Sequence, residues 1–143
     1  MSLVRHEDAD PSQLESLVEL ALSAVTRAYA PYSTFRVGAA IRGRDGSETI
    51  GCNVENSAYP AGICAERAAV AAAVSHGVRD FTLLVVASEA EEPTPPCGMC
   101  RQVLVEFAPA LQIVSVTTRG ARATWRLSEL LPAPFTPQSL QHS

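Results

Sequence analysis

The chain has 143 residues, of which 47% are hydrophobic and 18% charged, a length and balance that suit one domain with its own core. Its net charge is −4, lysine is absent and the arginines are scattered, so there is no basic stripe to neutralise phosphates, which argues against nucleic acid as the substrate. The polar, acidic start is unlike a secretory leader and no apolar run approaches the roughly 20 residues of a membrane span; the expectation is a cytoplasmic protein, with no membrane partner, whose cysteines are thiols or metal ligands rather than disulfides.

In chain order, residues 12–29 read as a helix, with Ser12 as cap and Glu15 completing a capping box. Leu14, Leu17, Val18, Ala21, Leu22 and Val25 recur at helical spacing, and Pro31 ends the run. Residues 35–42 alternate as a strand: Phe35, Val37, Ala39 and Ile41 against Arg36, Gly38, Ala40 and Arg42. Asp45-Gly46 is a turn signal, and a second strand over 48–54 completes an antiparallel hairpin. Residues 64–76 are alanine-rich, stopped by Gly77, and apolar nearly all round, which predicts a buried helix. Residues 81–87 form a continuous apolar strand of the type covered on both faces. A helix over 97–107 closed by Pro109, strands over 112–117 and 121–126, and a helical turn near 128–131 follow. The prolines at 132, 134 and 137 predict an irregular tail. This order predicts the α/β class, with helices layered on a mixed sheet of about five strands. One domain spans 1–143, and the ends, 1–10 and 137–143, are expected to be flexible.

The chemistry concentrates in Cys64-Ala65-Glu66 and Pro96-Cys97-Gly98-Met99-Cys100. A CxxC alone is either a redox dithiol or half a zinc site. The redox version usually opens a βαβ unit, whereas this one follows two other helices. Structural zinc takes four protein ligands, but catalytic zinc takes three and keeps one position open. Cys64, Cys97 and Cys100 supply three. Cys52 is either a fourth ligand or, more commonly for such a position, a small buried thiol.

Glu66 favours catalysis. Residues two apart do not share a helical face, so Cys64 and Glu66 reach one metal only if Cys64 stands at the helix start. Cys97 also begins a helix, and two helix N-termini aimed at one metal favour thiolates. Three thiolates on Zn²⁺ leave a net −1, which makes water at the site less acidic. Arg67 is either a donor that offsets a thiolate or a solvated helix charge. The pattern Cys-x-Glu followed by Pro-Cys-x-x-Cys is that of zinc deaminases.

With Tyr32-Ser33-Thr34-Phe35-Arg36-Val37-Gly38-Ala39-Ala40, Asn53-Val54-Glu55-Asn56, Tyr59-Pro60-Ala61-Gly62-Ile63-Cys64-Ala65-Glu66-Arg67, Pro96 to Gln102 and the ending Glu129 to Phe135, the chain resembles the small, homotetrameric cytidine deaminases over about residues 14–137. The resemblance implies a three-layer α-β-α sandwich and one Zn²⁺ per chain. It also implies hydrolytic deamination of cytidine and deoxycytidine with Glu66 as proton shuttle. Asn53 and Glu55 would bind ribose hydroxyls, Phe35 would pack beside the nucleoside, and the Ala65 N–H would bond the pyrimidine carbonyl. Phe135 would reach into a neighbouring subunit's site, and Tyr59 would lie near a subunit boundary. Asn53 and Glu55 alternate in phase, so both can point to one side; the bland reading is turn chemistry. The competing functions are a blasticidin-type nucleoside-antibiotic deaminase, a polynucleotide cytosine deaminase and a non-catalytic zinc module. His6, His76 and His142 carry no assigned role.

Overall fold

The computed structural model describes residues 9–141; His6, His142, and most of the N-terminal end together with the last two residues fall outside that range. The first helix, α1 (Pro11–Val25), starts one residue earlier than Ser12 suggested. Asp10 is the cap: its carboxylate accepts from the Gln13 N–H at 2.9 Å and from the Ser12 hydroxyl at 2.6 Å. Pro11, with φ preset for a helix, follows it at the first position. The helix also stops four residues short of position 29. The Tyr29 N–H donates to the Asn53 carbonyl at 2.9 Å and the Tyr29 carbonyl accepts from the Glu55 N–H at 2.8 Å. A bridge to residues 53–55 thus takes the backbone groups that a longer helix would have used.

Strands β1 (Val37–Gly43) and β2 (Glu48–Cys52) form the expected antiparallel hairpin. Helix α2 (Ala65–Ser75), strand β3 (Phe81–Ser88), helix α3 (Gly98–Phe107), strands β4 (Gln112–Thr117) and β5 (Arg122–Arg126), and a single turn α4 (Leu127–Leu130) follow. Short 3-10 turns occur at Tyr59–Ala61 and Pro137–Leu140. The sheet order is β2-β1-β3-β4-β5. The β3–β4 pair is parallel and the others are antiparallel, so the sheet is mixed, as the sequence predicted.

The two faces of the sheet carry different layers. Leu17, Ala21 and Val25 of α1 pack on Ala40, Leu83, Val85, Val114 and Val116. Ala69, Val70, Ala73 and Leu104 of α2 and α3 pack on Ala39, Ile41, Leu84, Val86 and Ile113. Strand β3 is therefore covered on both faces, which is why its sequence is apolar without alternation. Helix α2 is less enclosed than its composition implied. Ala69 and Ala73 are buried, whereas Ala71 is exposed, because among the described residues no further layer covers the outer side.

Two glycines set how closely the helices approach. A Cβ at Gly38 would lie 2.2 Å from the Ala21 carbonyl oxygen, and one at Gly51 would lie 2.4 Å from the Ala69 nitrogen and 2.6 Å from the Ala65 oxygen. Only a residue without a side chain lets α2 lie this low over β2. That contact fixes the height of the first turn of α2. Both α2 and α3 start beyond the C-terminal ends of the strands they follow, on one face, the usual place for a site in an open α/β sheet.

Candidate metal centre and active site

Cys64 and Cys97 are the N-cap residues of α2 and α3, both in extended backbone. This is the arrangement that the Cys64/Glu66 spacing demanded. Cys100 lies in the first turn of α3 and is fully buried. The three Sγ atoms lie within 4.8 Å of one another, with Cys97 and Cys100 at 3.5 Å. A tetrahedral zinc with Zn–S bonds near 2.3 Å requires sulfurs about 3.8 Å apart, so the three thiols fit that ion. Among the described residues no fourth cysteine joins them: the Cys52 thiol is 3.5 Å from the Arg27 carbonyl.

The sulfurs influence one another strongly. Cys64 is held down to about 5 by its hydrogen bond with Cys100, helped by Arg67, whose Nη2 is 3.8 Å from its sulfur. Cys100 is pushed upward by Cys64 and by burial. One anion is therefore stable in this cluster and a second is opposed, unless a cation joins them. Arg67 is half-buried beside the Cys64 sulfur. Its Nε is buried and has no hydrogen-bond partner.

Glu66 is 6% exposed. Burial, and then the negative charge at Cys64, push its carboxyl up to about 7. It shares a cavity of about 230 Å³ with Phe35, Asn53, Cys64, Ala65 and Cys97. Six of the residues singled out from sequence are thus brought to one space. Val37, Val86, Thr94 and Pro95 complete its walls; as ordinary apolar or loop residues they carried no chemical signal. The Arg101 guanidinium fixes the approach to Cys97 by donating to the Pro96 carbonyl at 2.7 Å and the Leu130 carbonyl at 2.9 Å. Its place directly after Cys100 was the available clue.

Glu55 and Tyr59 line an adjoining cavity with Tyr32, Ser33, Asn56 and Gly62, rather than the cavity of Glu66. Asn53 and Glu55, expected from their alternation to be able to point to one side, thus line two different cavities. The cause is that β2 ends at Cys52, and residues 53–55 are drawn into bridges with Tyr29 and Ile63. Both side chains are engaged by their own chain. Asn53 Oδ1 accepts from the Val37 N–H at 2.9 Å and its Nδ2 donates to the Phe35 carbonyl at 2.8 Å. Glu55 accepts from the N–H groups of Tyr32 and Ser33 and from the Ser33 hydroxyl. Phe135 lies outside both cavities, exposed, with its carbonyl accepting from Gln102 Nε2 at 2.8 Å.

The chain matches the family model for the cytidine and deoxycytidylate deaminase zinc-binding region over residues 11–116. It is 43% identical to the cytidine deaminase of Sporosarcina psychrophila over 91% of this chain and 96% of that one. It is similar to the crystal structure of cytidine deaminase from Burkholderia pseudomallei with a TM-score of 0.82 and 42% identity, covering 85% of this chain and 98% of that one. Blasticidin-S deaminase of Bacillus cereus matches at 31% identity over 84% of this chain and 90% of that one. No helix among the described residues is long and apolar enough to cross a membrane.

Proposed function

The chain belongs to the cytidine deaminase family, and on that premise we propose how its residues divide the work of zinc-dependent hydrolytic deamination of cytidine and deoxycytidine. Zinc supplies Lewis acidity, which makes water a competent nucleophile near neutral pH. Cys64, Cys97 and Cys100 hold the ion, one per chain, and Arg67 offsets part of the excess thiolate charge. Glu66 takes a proton from the water that attacks C4 and passes it to ring N3. Once the hydroxide has added to C4, Glu66 takes the second proton from the new C4 hydroxyl and delivers it to the amine; the C4–N bond breaks, the C4 oxygen becomes the carbonyl, and ammonia leaves uridine or deoxyuridine behind.

One observation carries this reading: a carboxyl raised to about 7 stands in the same small cavity as two of the three convergent thiols. A group titrating near neutrality can accept a proton and return it in one turnover. The Ala65 N–H belongs to the first helical turn, where amides lack intrahelical partners, and it bonds the pyrimidine carbonyl. Phe35 packs beside the nucleoside. Asn53 and Glu55 take the sugar hydroxyls. Among the described residues neither cavity lining carries a basic side chain, which supports a bare sugar over a phosphorylated one.

The working assembly is a homotetramer in the cytoplasm, formed by a single catalytic domain over residues 1–143. Phe135 completes a neighbour's site and Tyr59 lies at a subunit boundary. The exposure of both rings, 57% and 78%, supports this, and the four free cysteines suit a reducing compartment. The test is a zinc count per chain with ultraviolet assays on cytidine, deoxycytidine, CMP and blasticidin S, alongside sedimentation. One zinc with turnover of the two nucleosides is expected. Turnover of blasticidin S alone would replace this reading.

A further inference from the structure

Between α1 and β1, residues 30–35 fold tightly around one carboxylate. The Thr34 N–H donates to the Ala30 carbonyl at 3.0 Å, and Thr34 itself holds φ +57°, a left-handed conformation that threonine rarely adopts. The turn therefore presents two successive N–H groups inward. Tyr32 N and Ser33 N donate to Oε1 of Glu55 at 3.0 and 3.1 Å. The Ser33 hydroxyl donates to the other oxygen, Oε2, and accepts from the Phe35 N–H at 3.0 Å.

The remaining capacity of Glu55 can be counted. Each carboxylate oxygen accepts about two hydrogen bonds. Oε1 is filled by the two amides, and Oε2 has one acceptor position left. The Ser33 hydroxyl has no freedom to rotate away, since the Phe35 N–H occupies its acceptor side while its own proton points at Oε2. Phe35 in turn lines the cavity that holds Glu66. One hydroxyl thus ties the carboxylate to the wall of the active site.

We propose that Ser33 is a positioning residue for substrate recognition: its hydroxyl, held by the Phe35 N–H, fixes the Glu55 carboxylate so that Oε2 offers one acceptor position to a single sugar hydroxyl. This rests on the assignment of Glu55 to the sugar. The same three donors keep Glu55 below the usual carboxylate range, so it stays ionised and acts only as an acceptor. Without the Ser33 hydroxyl, the carboxylate pivots about its Oε1 anchors and the Phe35 N–H loses its partner.

The test is steady-state kinetics of the zinc-loaded enzyme with cytidine, 2′-deoxycytidine and 3′-deoxycytidine, for wild type, Glu55→Gln, Ser33→Ala and Ser33→Thr. Glu55→Gln should raise KM for the nucleosides that keep the hydroxyl it binds and leave KM unchanged for the analogue that lacks it. Ser33→Ala should show the same pattern, with KM up about tenfold, the worth of one hydrogen bond to a charged group, and kcat nearly unchanged. Ser33→Thr, which keeps the hydroxyl, should restore KM. If Ser33→Ala raises KM equally for both deoxy analogues while Glu55→Gln discriminates between them, Ser33 acts only through the fold and the proposal is overturned. Failure of Ser33→Thr to restore KM overturns it as well. If Glu55→Gln changes no KM, the assignment of Glu55 to the sugar fails first, and the role of Ser33 falls with it.

Discussion

The metal end and the proposed sugar end of the active site are built in opposite ways. At the metal end the polar groups lack partners that suit them. Cys100 is buried against another thiol, Glu66 is buried and held near neutrality, and Arg67 Nε is buried without a partner. At the sugar end nearly every polar atom is already bonded: Asn53 closes the hairpin and Glu55 sits in a cage of three donors. The metal end is therefore a source of instability that a cation relieves, whereas the proposed sugar end stabilises the chain and would offer a substrate only its residual hydrogen-bonding capacity. Substitutions should follow that division: large losses of activity at the first, and mixed effects on stability and KM at the second.

The largest effect should come from the metal ligands. Chelation, or Cys97→Ala, should abolish turnover and lower thermal stability, because the ion joins two helix starts and its binding energy adds to folding. Metal analysis with a melting curve checks this. A Cys97→Ala protein that retains one zinc per chain would exclude Cys97 as a ligand. Next comes Glu66→Gln, which should keep zinc and the fold but lower kcat by roughly 10²–10⁴-fold, the range for removing a general acid–base. The discriminating readout is retained zinc with lost turnover.

The same carboxylate should act oppositely on stability. Its folded pKa, about 7, lies above the ordinary 4.5. Between those values the folded state binds more protons than the unfolded one. Stability is thus fully present below pH 4.5 and is lost as pH rises through 7. At 1.4 kcal/mol per unit the loss is on the order of 3 kcal/mol. Cys64, held down to about 5, adds stability over much of the same range with the opposite sign, so the Glu66 contribution is read by difference. In denaturant titrations of metal-free protein between about pH 4.5 and 7, the window that the two Glu66 values bracket, wild type should lose stability relative to Glu66→Gln, which should be the more stable form at the upper end. A difference between the two proteins that does not change with pH would assign no such contribution to Glu66.

What the sequence disclosed follows the same division. The three cysteines and Glu66 were legible because their chemistry is rare and their spacing admits few geometries; the need for Cys64 at a helix start followed from two-residue spacing alone, and the cap is where the structure places it. The order of strands and helices was legible from periodicity and turn residues. The sugar end was less so. Asn53 and Glu55 were seen as ligand contacts, but their engagement with residues 32–37 depends on contacts between distant segments, which alternation along one strand does not encode. Ser33 carried no signal, since a serine before a strand is ordinary turn chemistry. The early end of α1 was hidden for the same reason: the partner of Tyr29 lies at residues 53–55.

The smallest effect, and the one that most sharpens the contrast, belongs to Asn53. Its amide orientation is fixed by its partners, since the Val37 N–H requires the oxygen and the Phe35 carbonyl requires the NH₂ group. Each bond is worth roughly 0.5–1.5 kcal/mol, and a group left buried without a partner costs about 1–3 kcal/mol. Asn53→Ala should therefore destabilise the protein by about 2 kcal/mol and raise KM, because Phe35 and Val37, both on the cavity wall, lose their tie to residue 53. Asn53→Asp separates the two roles. It keeps the acceptor for Val37 but turns an acceptor toward the Phe35 carbonyl, so it should recover part of the stability and little of the KM. If Asn53→Asp instead matches wild type in KM, the Nδ2 bond to Phe35 does not shape the site, and the sugar end would depend on Glu55 and its cage alone.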